Sequence, residues 1–396
     1  MKSQLLFMLK IIAAVISQDA LPADVENVDW NMIYHISAMH NITNIIGYAA
    51  ISGKYSMDEE IKQKFVKAVS EYIRIDAVQE QKSKELFDRF NKENIEYMPL
   101  KGINLKKLYP SGDLRKMTDM DILIREDQRD IISRIMQDLG YEFATESDHE
   151  IIYFLKPFVC VELHKRMVPA YNEDLYEYYG NGWKLAKPTG EGGRYMLPTE
   201  DEFVYLIAHL AKHYRDAGIG IKHITDIWLF IKQAKGMDFN YINKQLDKLH
   251  LTAFYKNVVK VMDCWFEGAE FDALCVSITE FIFKSGVFGN IKTRAATSAI
   301  KENMDDNLES ASRLKYIRMI FPKMWYMKNI FPVLETRPYL LPYYWIKRLV
   351  VGLLFKRGHI SYHVKKASSV DTDYIIKCNE HMKMVGLDVY AGRKKQ

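Results

Sequence analysis

Two aspartates that stand two residues apart, Asp119 and Asp121, constrain this chain more than any other feature of its sequence. Asp121 leads into the apolar run Ile122, Leu123 and Ile124, which predicts a buried strand. Since side chains alternate along a strand, both carboxylates would lie on one face. Two carboxylates held side by side repel each other unless a cation lies between them. The usual cation is a hard divalent one, which prefers oxygen ligands. The alternative for such a pair is a turn aspartate followed by a strand-edge aspartate in water.

The segments around this strand predict a small mixed sheet with short helices. Apolar periodicity and turn residues give, in order, a strand over 95–100, a helical piece over 103–109, the strand that follows Asp119, a helix over 126–139 and strands over 151–155 and 158–163. Gly140 ends the longer helix, and Lys156-Pro157 joins the last two strands tightly.

A third acid, Glu162, stands inside the apolar strand 158–163. An acid at such a position is costly unless it is paired or bound to metal, although an edge-strand glutamate facing water is the alternative. Three carboxylates on neighbouring strands are what nucleotidyl transfer needs, because they hold the metals that act on the triphosphate and the attacking hydroxyl. Gly102 permits close backbone approach to phosphate, and Lys101 and Arg115 would neutralise phosphate oxygens.

These residues resemble the nucleotidyltransferases of the DNA polymerase β superfamily, in particular a bacterial family mostly labelled uncharacterised. The matching segments are Leu100-Lys101-Gly102, Tyr109-Pro110 with Arg115, Asp119-Met120-Asp121 and Glu162-Leu163-His164. The segment that contains these motifs is about 94–166, and a weaker similarity continues through the helices to about 230. The resemblance implies an α+β fold, with a small mixed-sheet nucleotidyltransferase core embedded in a mostly helical protein, and a two-metal mechanism.

A predicted helix that begins near Thr199 places His209 and His213 on one face, one turn apart. Lys222 and Asp226 follow at the start of the next helix. The resemblance implies that these residues face substrate, since the related family has a similar histidine-rich helix beside its core. Zinc ligation or plain packing are the alternatives for the histidines, and a surface ion pair is the alternative for Lys222 and Asp226.

We therefore predict an enzyme that uses Mg²⁺ (or Mn²⁺) to transfer a nucleoside monophosphate from an NTP to an acceptor hydroxyl. Asp119, Asp121 and Glu162 are the predicted catalytic residues and metal ligands, with Glu162 assisting deprotonation of the acceptor. The predicted substrate-binding residues are Lys101, Gly102, Arg115, His164, Arg166, His209, His213, Lys222 and Asp226. The acceptor stays open between a sugar, a small molecule, an RNA end and a protein. RNA-directed transfer and a non-catalytic nucleotide-binding scaffold are the alternative functions, and the intact acidic triad argues against the scaffold.

The segment 313–366 is basic and rich in aromatic residues. It contains twelve lysines or arginines and one acid, Glu335, in a chain whose net charge is +4. Basic and aromatic side chains together suit RNA, and they suit an anionic membrane surface equally well. A buried helical hairpin with a solvated basic rim is the third interpretation.

The chain of 396 residues, 48% of them hydrophobic, is long enough for several compact units. We predict an N-terminal helical region (1–93), a nucleotidyltransferase core (94–168), a helical substrate-side region (169–240) and a C-terminal helical region (241–396). The four cysteines lack metal-ligand spacing and suit a reducing compartment. The apolar run over 1–18 is interrupted by Lys10, which favours an amphipathic helix over a signal peptide. These features predict a cytoplasmic protein, and contact with the inner membrane surface stays open.

Overall fold

The computed structural model describes residues 2–170, 172–302, 321–331, 333–355 and 370–387. A small mixed five-stranded sheet is embedded among many helices, so the predicted α+β class is confirmed. Four helices precede the sheet: α1 (Lys2–Ser17), α2 (Trp30–Met39), α3 (Thr43–Ile51) and α4 (Glu59–Lys92). The sheet region consists of β1 (Tyr97–Pro99), α5 (Gly102–Leu105), β2 (Met120–Ile124), α6 (Arg129–Asp138), β3 (Glu142–Glu146), β4 (Glu150–Leu155) and β5 (Val159–His164).

Helices make up most of the remaining described chain. They are α7 (Glu173–Tyr179), α8 (Thr199–Asp216), α9 (Ile221–Gln233), α10 (Phe239–Lys248), α11 (Thr252–Phe266), α12 (Ala273–Ser285), α13 (Ile291–Glu302), α14 (Met324–Ile330), α15 (Val333–Thr336), α16 (Leu341–Phe355) and α17 (Thr372–Met384). A short hairpin, β6 (Lys187–Pro188) and β7 (Tyr195–Met196), lies between α7 and α8. Within the described residues, no helix is both long enough and apolar enough to cross a membrane.

The order of strands brings the two acidic strands together. The sheet runs β1-β2-β5-β4-β3, with β2 parallel to β5 and the other neighbours antiparallel. In the β2–β5 register Asp121 is opposite Glu162. The two carboxylates therefore lie on adjacent strands at the same level.

Alternation along these strands separates an apolar face from a polar one. Ile122 and Ile124 of β2 pack in one hydrophobic cluster with Leu163 of β5 and with residues of α4 and α6. Asp121 and Glu162 point to the opposite face, because side chains alternate along a strand. Leu123 shares that face and belongs to the larger cluster that α1, α8 and α9 build. The sheet is therefore held by apolar burial on one face and presents its acids to the helices on the other.

Two local features differ from the sequence prediction. Strand β3, with the sequence EFATE, was not predicted, because it is an exposed edge strand and lacks an apolar run. The helix predicted over 126–139 begins as a short 3₁₀ turn, Glu126–Gln128, before α6. The predicted amphipathic helix at the N-terminus is present as α1, whose Phe7, Leu9 and Ile12 are buried. The predicted domain boundaries stay predictions.

The basic, aromatic segment is described only in part, since 313–320, 332 and 356–366 lie outside the described residues. In α16, Trp345 is half-buried, and its Nε1 donates a hydrogen bond to the carbonyl oxygen of Pro322 at 2.9 Å. Tyr339, Tyr343 and Ile346 are 74%, 57% and 62% exposed. The described part is thus helical, with one tryptophan packed and several apolar side chains in water.

Candidate active site

A cavity of about 870 Å³ lies between the acidic face of the sheet and the helices α8 and α9. Most of the predicted site residues line it, and they come from stretches of chain more than a hundred residues apart. These residues are Lys101, Gly102, Arg115, Asp119, Asp121, Glu162, His164, His209, His213, Lys222 and Asp226.

Asp121 lies at the centre of the acidic group. Asp121, Glu162 and His164 place their ligand atoms within 4.8 Å of one another. Asp119, one residue before β2, lines the same cavity, and the hydroxyl of Thr118 donates to its Oδ1 at 3.2 Å. The three predicted carboxylates therefore share one wall of the cavity.

Two side chains hold Asp121 in its ionised form. The ammonium of Lys101 is 2.7 Å from Oδ1 of Asp121, and Nε2 of His164 is 2.6 Å from the same oxygen. Burial alone would raise the pKa of Asp121, but the charge of Lys101 and the hydrogen bond from His164 hold it well below its usual value. Both contacts use Oδ1, and no hydrogen bond to Oδ2 of Asp121 is present within the described part of the chain.

The pKa values of Glu162 and Asp119 are shifted in the opposite direction to that of Asp121. Burial, and then the negative charges of Asp119, Asp121 and Glu150, raise the pKa of Glu162 to about 8. Burial and the charge of Asp121 raise the pKa of Asp119, against the attraction of Lys101 and Lys222. The acids repel one another, and a divalent cation bound among them would relieve that repulsion.

Lys101 has an unusual backbone conformation. Its φ angle is +44°, a region that non-glycine residues seldom adopt and that often occurs at functional sites. The amide nitrogen of Leu100 donates to the carbonyl oxygen of Asp121 at 2.9 Å, which ties this turn to β2. A Cβ on Gly102 would lie 3.1 Å from both Arg115 and Met117, so glycine allows the tight packing of α5.

Arg115 and Asp226 form a buried, bidentate ion pair. Nε and Nη2 of Arg115 donate to the two carboxylate oxygens of Asp226 at 2.7 and 2.9 Å, and Nη1 donates to the carbonyl oxygen of Gly102 at 3.3 Å. The hydroxyl of Tyr109 donates to Asp226 at 2.8 Å. This pair joins α9 to the turn that carries Gly102.

Comparison with known proteins decides the family. Residues 26–267 match the model of a family described as uncharacterised nucleotidyltransferase. The chain belongs to this family. It is an enzyme of the nucleotidyltransferase class, and the predicted resemblance is confirmed.

Other comparisons add little. The solution structure of an antibiotic-resistance factor, ANT(2'')-Ia, is similar over 49% of this chain and 100% of that one, at 13% identity and a TM-score of 0.33. No curated protein matches the sequence of this nucleotidyltransferase.

The two histidines of α8 lie on the wall of the nucleotidyltransferase cavity, facing each other. The rings of His209 and His213 are 4.3 Å apart in an edge-on arrangement. Burial, and then the charges of Lys101 and Lys212 respectively, hold the pKa of each well below its usual value, so both imidazoles are neutral at pH 7. Neither belongs to a potential metal-binding group among the described residues.

Lys222 and Arg166 differ in their surroundings. Lys222 is buried, lines the cavity and donates to the carbonyl oxygen of Lys116 at 3.2 Å. Asp226, which the sequence could pair with Lys222 at i,i+4, is instead bound by Arg115. Arg166 pairs with Asp148 at 3.1 Å and does not line the cavity, so its substrate-binding role stays a prediction.

Sequence reasoning missed several residues that line the cavity of the nucleotidyltransferase. The charged or titratable ones are His149, Glu150, Lys212, Asp216, His223 and Arg294. Burial, and then the charge of Lys101, lower the pKa of Lys212 to about 8. The sequence could have indicated His149 and Glu150, because the tight turn at Lys156-Pro157 sets the strand register that places Glu150 opposite His164.

Proposed function

We propose that this nucleotidyltransferase transfers a nucleoside monophosphate from an NTP to an acceptor hydroxyl, using Mg²⁺ or Mn²⁺ held by Asp119, Asp121 and Glu162. The observation that carries the proposal is the parallel pairing of β2 with β5, which sets Asp121 opposite Glu162 on the cavity face. Such a pairing of acids is costly in a cavity wall unless a cation is bound there.

The donor set fits a hard divalent cation. Carboxylate oxygens are the ligands that Mg²⁺ prefers. Burial, and then neighbouring negative charges, raise the pKa values of Asp119 and Glu162, and a bound cation would offset both effects. Bound there, the cation would supply positive charge to the triphosphate and lower the pKa of the attacking hydroxyl. Asp121 would keep His164 as its hydrogen-bond donor and contribute its other oxygen.

Glu162 is the proposed proton acceptor. Without a cation the pKa of Glu162 is raised to about 8; a cation bound beside it would lower that pKa and leave the carboxylate ionised, as a proton acceptor must be. The acceptor oxygen forms a bond to the α-phosphorus, its proton passes to the Glu162 carboxylate, and pyrophosphate leaves as the bond to the bridging oxygen breaks. Water exclusion by the buried sheet face strengthens these electrostatic contacts.

Three lysines on the cavity wall, Lys101, Lys212 and Lys222, would bind the phosphates. Lys101 now neutralises Asp121, and we propose that it turns to a phosphate oxygen when a cation takes its place. Arg115 would act by position, since its guanidinium is held by both carboxylate oxygens of Asp226 and by the carbonyl oxygen of Gly102. It would hold Gly102 against the triphosphate.

His209 and His213 complete the proposed substrate contacts, whereas His164 would act through Asp121, to which its Nε2 donates. As neutral imidazoles, His209 and His213 can each donate and accept one hydrogen bond, which suits a ribose or an acceptor hydroxyl. The cavity volume of about 870 Å³ lies within the roughly 300–1,000 Å³ of small-molecule sites. We therefore favour a sugar or another small molecule as acceptor, in a cytoplasmic location that supplies NTPs.

The experiment incubates the protein with each α-labelled NTP and Mg²⁺, adding either the small-molecule or the macromolecular fraction of a cell extract. Label in a new small product supports the proposal, and label in RNA or protein would move the acceptor to those classes. Asp121→Asn should abolish transfer, whereas the control Asp127→Asn, at an exposed position outside the cavity, should not. NTP binding without transfer under any condition would favour the non-catalytic scaffold.

A further inference from the structure

A second group of ligand atoms lies on the far side of the His164 ring from Asp121. Nδ1 of His164 is 3.2 Å from Nε2 of His149 and 3.7 Å from Oε2 of Glu150. Nε2 of His149 is 3.9 Å from that same carboxylate oxygen. Two imidazole nitrogens and one carboxylate oxygen thus form a compact triangle.

The triangle is fixed by the sheet. The antiparallel register of β4 and β5 places Glu150 directly opposite His164, and His149 comes one residue before β4. The side chains of His149, Glu150 and His164 are 15%, 27% and 3% exposed, and all three residues line the cavity. Ligands carried by paired strands keep their spacing with little freedom to move apart.

The spacing matches that of a transition-metal site. With metal–ligand bonds of about 2.0–2.1 Å, tetrahedral geometry puts ligand atoms roughly 3.3–3.4 Å apart. The observed 3.2 Å is close to that spacing, and the observed 3.7 and 3.9 Å are longer by up to about half an ångström, so a small shift of Glu150 would close the triangle on a metal. Two histidines with one carboxylate suit Zn²⁺ and its neighbours, whereas Mg²⁺ prefers oxygen ligands alone.

The contact between His164 and Asp121 prepares the ring for a metal. A nitrogen–oxygen distance of 2.6 Å is a direct hydrogen bond. Because an ionised carboxylate only accepts, Nε2 of His164 carries the hydrogen of this bond, which leaves Nδ1 as the nitrogen that can offer a lone pair to a metal. A carboxylate that orients a histidine in this way is the usual support of a metal-binding imidazole.

We propose that His149, Glu150 and His164 bind a zinc-class ion, separate from the cation held by the acidic triad. The cavity offers its remaining coordination position to water or to an anionic group of a substrate. The proposal does not depend on nucleotidyl transfer, because its ligands lie on the other side of the His164 ring and its test uses no nucleotide. It also differs from zinc at His209 and His213.

Cobalt(II) tests the site directly, since Co²⁺ replaces zinc and absorbs strongly in the visible only at low coordination number. We would titrate chelator-treated protein with Co²⁺ in excess Mg²⁺, which occupies the carboxylate site. The expected result is one equivalent of Co²⁺ with a strong visible band that added Zn²⁺ removes. His149→Ala and Glu150→Gln should each weaken binding at least tenfold.

Two further variants separate this site from the acidic triad. Asp119→Asn should leave the Co²⁺ band unchanged, because Asp119 is outside the triangle. Asp121→Asn should keep the stoichiometry but weaken affinity about 10–100-fold, as losing the carboxylate behind a metal-bound histidine does. Circular dichroism of each variant confirms folding.

The proposal is overturned if Co²⁺ gives only a weak six-coordinate spectrum, or if folded Glu150→Gln binds as wild type does. Loss of binding in Asp119→Asn alone would also overturn it. The 3.2 Å contact of His149 with His164 would then be a plain hydrogen bond between two neutral rings.

Discussion

Replacing Glu162 with glutamine should change how the stability of the metal-free protein depends on pH. Burial and three neighbouring acids raise the pKa of Glu162 from 4.5 to about 8, and 21% of its side chain is exposed. A group whose pKa is raised on folding stabilises the protein fully below its unfolded pKa, and this contribution is lost as the pH rises through the folded value. The contribution of Glu162 to stability should therefore fall steadily between about pH 4.5 and pH 8.

The magnitude follows from proton linkage. For a pKa of 4.5 unfolded and about 8 folded, the contribution of Glu162 to the free energy of unfolding falls by about 4 kcal/mol from pH 5 to pH 9. Glutamine resembles the protonated acid and does not titrate. The stability of Glu162→Gln relative to wild type should therefore rise by up to about that amount over the same interval.

Urea unfolding in the presence of a chelator, at pH 5, 7 and 9, measures this difference. Comparing variant with wild type at each pH cancels the titration of groups that the two proteins share. The control is Glu126→Gln, at an exposed position on the turn before α6. A pH-independent difference for Glu162→Gln would show that folding does not raise the pKa of Glu162, and the repulsion among the acids that favours a bound cation would lose its support.

Three further outcomes are expected. Asp119→Asn should stabilise the metal-free protein because it relieves repulsion, whereas Asp121→Asn, which leaves Lys101 unpaired, should destabilise it by roughly 3–5 kcal/mol in chemical denaturation. Asp226→Asn should lower the free energy of unfolding by a similar amount, roughly 3–5 kcal/mol, because it leaves the buried Arg115 without its charged partner. A double-mutant cycle with Arg115→Met should show strong coupling between the two residues. If the exposed side chains of α16 meet an anionic membrane, Ile346→Asp should reduce binding to anionic vesicles; RNA binding that falls steeply with salt would favour RNA instead, and binding to neither would favour the helical hairpin.

Much of the acidic site could be predicted from local sequence. Apolar residues on both sides of Asp121 and Glu162 marked two buried strands, and a buried acid needs a partner. That β2 and β5 are neighbours could not be read from spacing, because β3 and β4 separate them along the chain. Only the sheet order shows that the two acids meet.

The parts of the site that the sequence did not predict depend mostly on contacts between residues far apart in the chain. Arg115 and Asp226 are 111 residues apart, so local spacing suggested Lys222 as the partner of Asp226 instead. Lys212 stands beside His213 without any pattern that marks it as lining the cavity. Glu150 could have been predicted from the sequence. Counting back along both strands from the turn at Lys156-Pro157 pairs Glu150 with His164.

The central claim is nucleotidyl transfer by the acidic triad, and its most direct test compares α-labelled with γ-labelled NTP in the same reaction. We expect the α-label in the acceptor product and the γ-label in pyrophosphate. Asp119→Asn should slow transfer at least about 100-fold, the scale of one lost electrostatic contact with the transition state. Transfer of the γ-label to the acceptor, or a wild-type rate in Asp119→Asn, would contradict the account.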